Sequence, residues 1–172
     1  MLEIEKWSRE ETYNTMMELL YSFNYMWFLM EGWVAENFPE KRQSEDFLKL
    51  GEQFGSYQAK RLEKTITEPS VGIDRIISFL KRSHWNAFED IRLDKLSEKE
   101  LRMRTAGCTT QKAAKKWGME YYACGDAGLR LRTGFVTRVD PSAAVRRVFT
   151  PPDERPADAP EDVSCEWIIT ID

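Results

Sequence analysis

The sequence has few cysteines, a single histidine and no long uninterrupted apolar run. Its 172 residues include three cysteines and one histidine. A single histidine excludes a histidine-rich metal site within one chain, including the two-histidine zinc helix. Three widely spaced cysteines argue against a disulfide scaffold and favour reduced thiols or a metal site. The sequence also lacks a phosphate-binding glycine-rich loop and a Gly-x-Ser-x-Gly turn, so nothing supports nucleotide hydrolysis or the common serine hydrolase design.

The charge and hydropathy of the chain argue against nucleic-acid and membrane partners. The formal net charge is -4, from 25 basic and 29 acidic residues, and no basic stripe indicates a nucleic-acid binder. The most apolar stretch, Met16 to Ala35, is interrupted by Glu18, Asn24 and Glu31, so we predict no membrane span. The first six residues lack the character of a signal peptide. We therefore expect a cytoplasmic protein without nucleic-acid or membrane partners.

The first helix is predicted from a capping box and an apolar face. Ser8 and Glu11 are spaced so that each side chain can satisfy a free amide of the first turn. A broad apolar face follows, which indicates core packing or a homodimer interface, with the lining of a ligand pocket as the alternative. Its members are Met16, Leu19, Leu20, Phe23, Met26, Trp27, Met30, Trp33 and Val34.

Two more helices complete the predicted helical half, residues 1–83. The second is expected from Pro39, which suits the first turn, to about Ile66. Gly51 and Gly55 lie four residues apart within it, which indicates close helix packing or, alternatively, a kink. A short third helix is marked by the apolar residues Ile73, Ile76, Ile77 and Leu80.

Residues 84–172 are predicted to add strands and two further helices. Alternating apolar residues predict a hairpin of strands around Ile91–Leu93 and Leu101–Thr105. Short helices are expected up to about Trp117 and from Cys124 to Val139, and strands over Val145–Phe149 and Cys165–Ile171. We therefore predict one α+β domain over residues 1–172, in which a helical N-terminal half packs on a four-stranded antiparallel sheet with two further helices.

The three cysteines are the leading candidates for chemistry. Cys108 precedes one predicted helix and Cys124 begins another, where the partial positive charge of a helix N-terminus would stabilise a thiolate. Cys165 is predicted on the core face of the last strand, so the three sulfurs could converge. A catalytic thiol and a metal site are both open, and so is the simpler interpretation of free cysteines as small buried apolar residues.

Other polar residues could assist or bind a ligand. Asp126 lies in the first turn after Cys124 and could pair with the helix dipole, act as a base or bind a metal. His84 could be a general base, or a capping and packing residue. Several arginines could hold a carboxylate substrate, or form surface ion pairs, namely Arg130, Arg132, Arg138, Arg146 and Arg147. A pocket is predicted among Trp27, Phe28, Met30, Trp33, Trp85 and Gln111.

Several short segments resemble one protein family. The segments are Leu101–Gln111 around Cys108, Tyr122–Asp126, Phe149–Asp153 and Cys165–Trp167, together with Trp27–Phe28 and Gly55–Leu62. In these the chain resembles the L-2-amino-thiazoline-4-carboxylate hydrolase-like proteins and their prokaryotic relatives. The resemblance implies hydrolysis of a cyclic C–N bond, with Cys124 or Cys108 as nucleophile or metal ligand and Asp126 or His84 moving protons.

The order of elements is also similar to the 4-vinyl-reductase-type ligand-binding domains. Some of them hold a structural zinc through a cysteine that opens the penultimate helix and another that opens the last strand. That resemblance implies Cys124 and Cys165 as zinc ligands here, with Asp153 or Glu154 as a further ligand. Thr150 stands where relatives often carry cysteine. The alternative function is therefore a non-catalytic small-ligand sensor with a structural metal or packed cysteines.

Overall fold

The computed structural model of the protein describes residues 7–41, 44–67, 70–116 and 118–172. The chain forms two compact units, residues 1–44 and residues 45–172. The predicted single domain over residues 1–172 therefore stays a prediction. Residues 1–6, on which the signal-peptide expectation rests, and Trp117, the expected end of one helix, lie outside the described residues.

The first unit contains the long helix α1, Arg9–Asn37. The predicted capping box is present: the Glu11 amide donates to the Ser8 hydroxyl (3.1 Å), and the Ser8 amide donates to the Glu11 carboxylate (2.8 Å). Much of its apolar surface is exposed, as at Leu19 and Phe23. None of the helices in the described part of the chain combines the length and apolar character needed to cross a bilayer.

The second unit carries the sheet and the remaining helices. In chain order its elements are α2 (Glu45–Leu62), a 3-10 turn (Glu63–Thr65), α3 (Gly72–Leu80), α4 (His84–Phe88), β1 (Asp90–Ser97), β2 (Glu100–Ala106), α5 (Thr109–Lys116), α6 (Gly125–Val139), β3 (Ala144–Phe149) and β4 (Val163–Thr170). The strands form one sheet in the order β1-β2-β4-β3, and every neighbouring pair is antiparallel. The predicted α+β class with a four-stranded antiparallel sheet is confirmed.

The pleat of the sheet separates its two faces. Met103 on β2 lies opposite Trp167 on β4, and both are fully buried in the core against α3, α4 and α6. On the other face Glu166 is also buried, and its carboxylate accepts from Arg104 (2.8 Å). Arg102 lies 3.3 Å from the same carboxylate, so the ion pairs offset the desolvation of Glu166.

One predicted boundary needs correction, and one helix was missed. Helix α2 begins at Glu45 and not at Pro39, because residues 39–44 contain no large apolar side chain to bury while Phe47 and Leu48 begin the apolar periodicity. Helix α4 was not predicted, because its five residues are too few for a helical period to be read from the sequence.

Helices α2 and α6 approach each other backbone to backbone. A Cβ atom added to Gly55 would lie 2.1 Å from the Leu131 carbonyl oxygen, and one added to Gly134 would lie 2.0 Å from the Glu52 carbonyl oxygen. Close packing, the first of the two interpretations of the glycine pair in α2, is therefore confirmed for Gly55. At Gly51 the nearest atom would be the Ala127 oxygen at 3.6 Å, an ordinary contact.

This difference predicts opposite effects of the same substitution at two positions of α2. Gly55→Ala should lower the free energy of unfolding by about 2 kcal/mol or more, because the two backbones must separate. Gly51→Ala should leave it unchanged or raise it by about 0.5 kcal/mol, through the better helix propensity of alanine. Urea denaturation of both variants measures the effects, and equal losses at the two positions would contradict the contact.

Candidate functional site

Arg132 is a buried cation held between two aromatic rings. It lies on α6, only 6% exposed, with its guanidinium carbon 4.8 Å from the ring centre of Trp85 and 4.3 Å from that of Trp167. Its Nη1 donates to the Gly128 carbonyl (3.2 Å), while its Nε has no hydrogen-bond partner. Gly128 also makes room for it, since a Cβ there would lie 3.1 Å from Nη1. No carboxylate of the described residues is within ion-pair distance, which is unusual for a buried charge.

Three cysteines lie in the same region of the second unit. Gly107, at a φ of +60°, turns the chain from β2 into α5 and so presents Cys108. Cys124 occupies the N-cap of α6, and Cys165 lies on the core face of β4, where it accepts from the Trp167 indole N–H (3.2 Å). Across the strands Cys165 faces Thr105, whose buried hydroxyl has no partner.

Gln111 holds the segment before α6 in place. Its amide pairs with the backbone of Tyr122 in both directions, donating to the carbonyl (2.8 Å) and accepting from the N–H (3.0 Å). The same Nε2 lies 3.8 Å from the sulfur of Cys124. Gln111, predicted as a pocket residue, therefore sets the position of Cys124.

Glu89 is a member of this region that the sequence analysis missed. It follows α4 directly, and its carboxylate accepts from the Cys108 thiol (3.3 Å) and from the Thr109 hydroxyl (3.4 Å). A glutamate between a helix and a strand carries no distinguishing sequence signal, so only the fold reveals its neighbours. We refer to Glu89, Cys108, Gln111, Cys124, Arg132 and Cys165 together as the arginine–thiol cluster.

Burial raises the pKa of two thiols of the cluster, Cys108 and Cys124. Burial, reinforced by the Glu89 carboxylate, raises the pKa of Cys108 to about 12. Burial and the neighbouring Cys165 raise the pKa of Cys124 to about 11, although Arg132 acts in the opposite direction. Cys165 contributes to the rise at both groups. Burial therefore opposes the thiolate that the helix N-termini are expected to stabilise.

His84 packs against Trp85, one of the two rings that contact Arg132. Its Nδ1 lies 2.8 Å from the Gln58 amide oxygen and therefore carries the proton, and its ring lies 4.3 Å from the ring of Trp85. Burial, and secondarily the charge of Arg132, lowers the pKa of His84 to about 3. The imidazole is therefore neutral at physiological pH, and its contacts are those of a packing residue.

Two other predicted site residues, Asp126 and Asp153, both approach Arg147. Asp126 pairs with Arg147 (3.6 Å) and lines an open groove of about 420 Å³ beside Leu129 and Val145. Asp153 accepts from the Thr150 amide (3.0 Å) and also approaches Arg147. Four predicted pocket residues, Trp27, Phe28, Met30 and Trp33, belong to α1 in the first unit.

The predicted zinc ligands do not fit a metal site. Within the described ranges no three His, Cys, Asp or Glu side chains are arranged to hold a metal ion. Asp153 is engaged by the Thr150 amide and Arg147, and the Cys165 sulfur is engaged by Trp167. Cys124, Cys165 and Asp153 are thus not brought together, and no role is assigned to zinc.

The depressed pKa of His84 predicts how stability depends on pH. The unfolded chain binds a proton at this histidine near pH 6.5, whereas the folded protein does so only near pH 3. The contribution of neutral His84 is therefore complete above pH 6.5 and is lost as the pH falls towards 3. At pH 5 the loss should be roughly 2 kcal/mol.

Urea denaturation at pH 7.5 and pH 5 measures this loss. His84→Gln, which cannot titrate, should lose about 2 kcal/mol less between the two pH values than the unaltered protein. Carboxylate titration is common to both proteins and cancels in the comparison. Equal losses would show that His84 is not buried as a neutral ring.

Comparison with known proteins identifies the family. No curated protein matches the chain. A family model described as a family of unknown function, DUF6125, matches residues 11–171, which is nearly the whole chain. The protein therefore belongs to the DUF6125 family.

Proposed function

We propose that this protein binds a small molecule bearing a carboxylate, with Arg132 as the anchor. The observation that carries the proposal is the buried guanidinium, which has aromatic rings around it but no carboxylate partner among the described residues. An unpaired buried charge is costly, and an anionic ligand would offset that cost. We also propose that the protein is cytoplasmic, because all three cysteines are free thiols.

The surroundings of Arg132 suit a compact ring acid. A guanidinium offers two parallel N–H donors that match the two oxygens of a carboxylate. The indoles of Trp85 and Trp167 provide apolar walls, while Cys124 and Gln111 are half-buried and lie towards solvent. The resemblance to the thiazoline-carboxylate hydrolases, whose named substrate is a heterocyclic carboxylate, supports the same ligand class.

Hydrolysis of a ring C–N bond in the bound molecule is the second candidate. Two observations favour it. Arg132 acts to lower the pKa of Cys124, and the sequence resembles the thiazoline-carboxylate hydrolases. At a pKa of about 11, only about one Cys124 thiol in ten thousand is ionised at pH 7, so we place binding first. Turnover of 2-amino-thiazoline-4-carboxylate, followed by mass spectrometry and abolished by Cys124→Ser, would establish the second candidate.

Binding should depend on Arg132 and not on its exposed neighbour. Arg132→Met should weaken the binding of tetrahydrofuran-2-carboxylate and related ring acids at least 100-fold, while changing the free energy of unfolding by less than about 2 kcal/mol. Arg130→Met is the matched control, because Arg130 is on the same helix but is paired with Glu45 and Glu52. Titration calorimetry measures both, and undiminished binding by Arg132→Met would refute the anchor.

We also propose that α1 pairs with α1 of a second copy. Six of its exposed apolar residues follow three- and four-residue steps, which is the heptad spacing of a coiled-coil seam. Each is between 48% and 65% exposed, and together they present on the order of 600 Å² of apolar surface, more than a monomer usually leaves uncovered. They are Met16, Leu19, Phe23, Met26, Met30 and Trp33.

Sedimentation velocity between 1 and 100 μM tests the pairing. Phe23→Glu, in the middle of the seam, should weaken dimerisation at least tenfold because it places a charge among apolar side chains. Asn14→Glu adds the same charge on another side of the helix and should have little effect. A monomeric unaltered protein throughout this range would exclude the homodimer.

A further inference from the structure

We propose that Glu89 receives a cationic nitrogen of the ligand, so that the site selects a zwitterion over a simple acid. The inference rests on the proposed function, since it adds a second point of recognition to the carboxylate anchor at Arg132. It makes Glu89 a residue that determines specificity, and it requires no bond to be made or broken.

The contacts of Glu89 leave its negative charge unmatched. Among the described residues its carboxylate accepts only from the Cys108 thiol at 3.3 Å and the Thr109 hydroxyl at 3.4 Å, which are a weak donor and a long contact. No lysine, arginine or histidine in the described ranges lies within ion-pair distance of it. This contrasts with Glu45, Glu63 and Glu166, each of which pairs with an arginine. The half-buried Glu89 therefore retains the capacity to accept from a charged N–H group.

Glu89 and Arg132 border the same part of the molecule. The Glu89 amide donates to the Trp85 carbonyl (2.9 Å), so Glu89 and Trp85 are one helical turn apart. The ring of Trp85 in turn contacts the guanidinium of Arg132. The pKa of Cys124 responds to both charges, since Arg132 lowers it and Glu89 raises it. The cluster thus contains one cation and one anion that each lack an ion-pair partner among the described residues.

A ligand that satisfies both groups must carry complementary charges. Its carboxylate would bind Arg132, its protonated nitrogen would bind Glu89, and its uncharged part would face Cys124 and the indole of Trp85. A charge-assisted hydrogen bond at a half-buried position is stronger than a neutral one, so the nitrogen should contribute measurable discrimination. A simple acid of the same shape would leave Glu89 unpaired.

Two ring acids of the same size test the selection. L-Proline carries a protonated ring nitrogen where tetrahydrofuran-2-carboxylate carries an ether oxygen. We expect the unaltered protein to bind proline at least tenfold more tightly than the ether, and Glu89→Gln to reduce that preference below threefold. Asp90→Asn is the matched control, because Asp90 is the next residue but pairs with Arg92 on the surface. Calorimetry that finds the preference unchanged in Glu89→Gln would overturn the inference.

A second measurement separates this inference from the carboxylate anchor. Pyrrolidine, a cation without a carboxylate, should slow the alkylation of Cys108 by iodoacetamide at least threefold in the unaltered protein and in Arg132→Met, but not in Glu89→Gln. Rates with and without pyrrolidine are compared within each variant by mass spectrometry. Protection without any carboxylate binding would leave Glu89 supported and the proposed function refuted. Carboxylate binding with neither protection nor preference for proline would overturn the role of Glu89 alone.

Discussion

The stacking of one guanidinium between two indole rings organises this structure. Trp85 comes from α4, Trp167 from β4 and Arg132 from α6, so the two contacts of one side chain join a short helix, the sheet and a longer helix. Aromatic faces attract a cation, but they do not neutralise its charge. The core therefore encloses a charged group that has no carboxylate partner among the residues that the structure describes.

Burial also determines the direction in which the pKa values of the Cys108 and Cys124 thiols are shifted. Cys108 and Cys124 both stand at helix N-termini, where sequence reasoning expects ionised sulfur, yet burial raises both pKa values. The dipole of a helix end acts over a short range and is weak beside the cost of desolvating a thiolate. Burial therefore has the larger effect at both cysteines and favours the neutral form of each thiol.

Patterns of spacing revealed much of the fold, whereas contacts between distant residues remained hidden. The capping box at Ser8, the hairpin and the helix after Cys124 were predictable because each rests on neighbouring residues. The four-stranded sheet followed from counting strands that each had one apolar face. Arg132 was one of five arginines with no feature to single it out, and Glu89 had none at all. Arg132 and Glu89 stand out because they have no ion-pair partner among the described residues, and this can be seen only in the folded structure.

Opposite sides of helix α6 make two different contacts. On one side Gly134 packs against the backbone of α2, with no room for a side chain. On the other side Arg132, two residues earlier, contacts Trp167 of the sheet. A helix transmits displacement along its length because its hydrogen bonds resist local bending. Crowding at Gly134 would therefore displace the Arg132 guanidinium from the two indole rings, so the position of this buried charge is sensitive to residues on the opposite face of the helix.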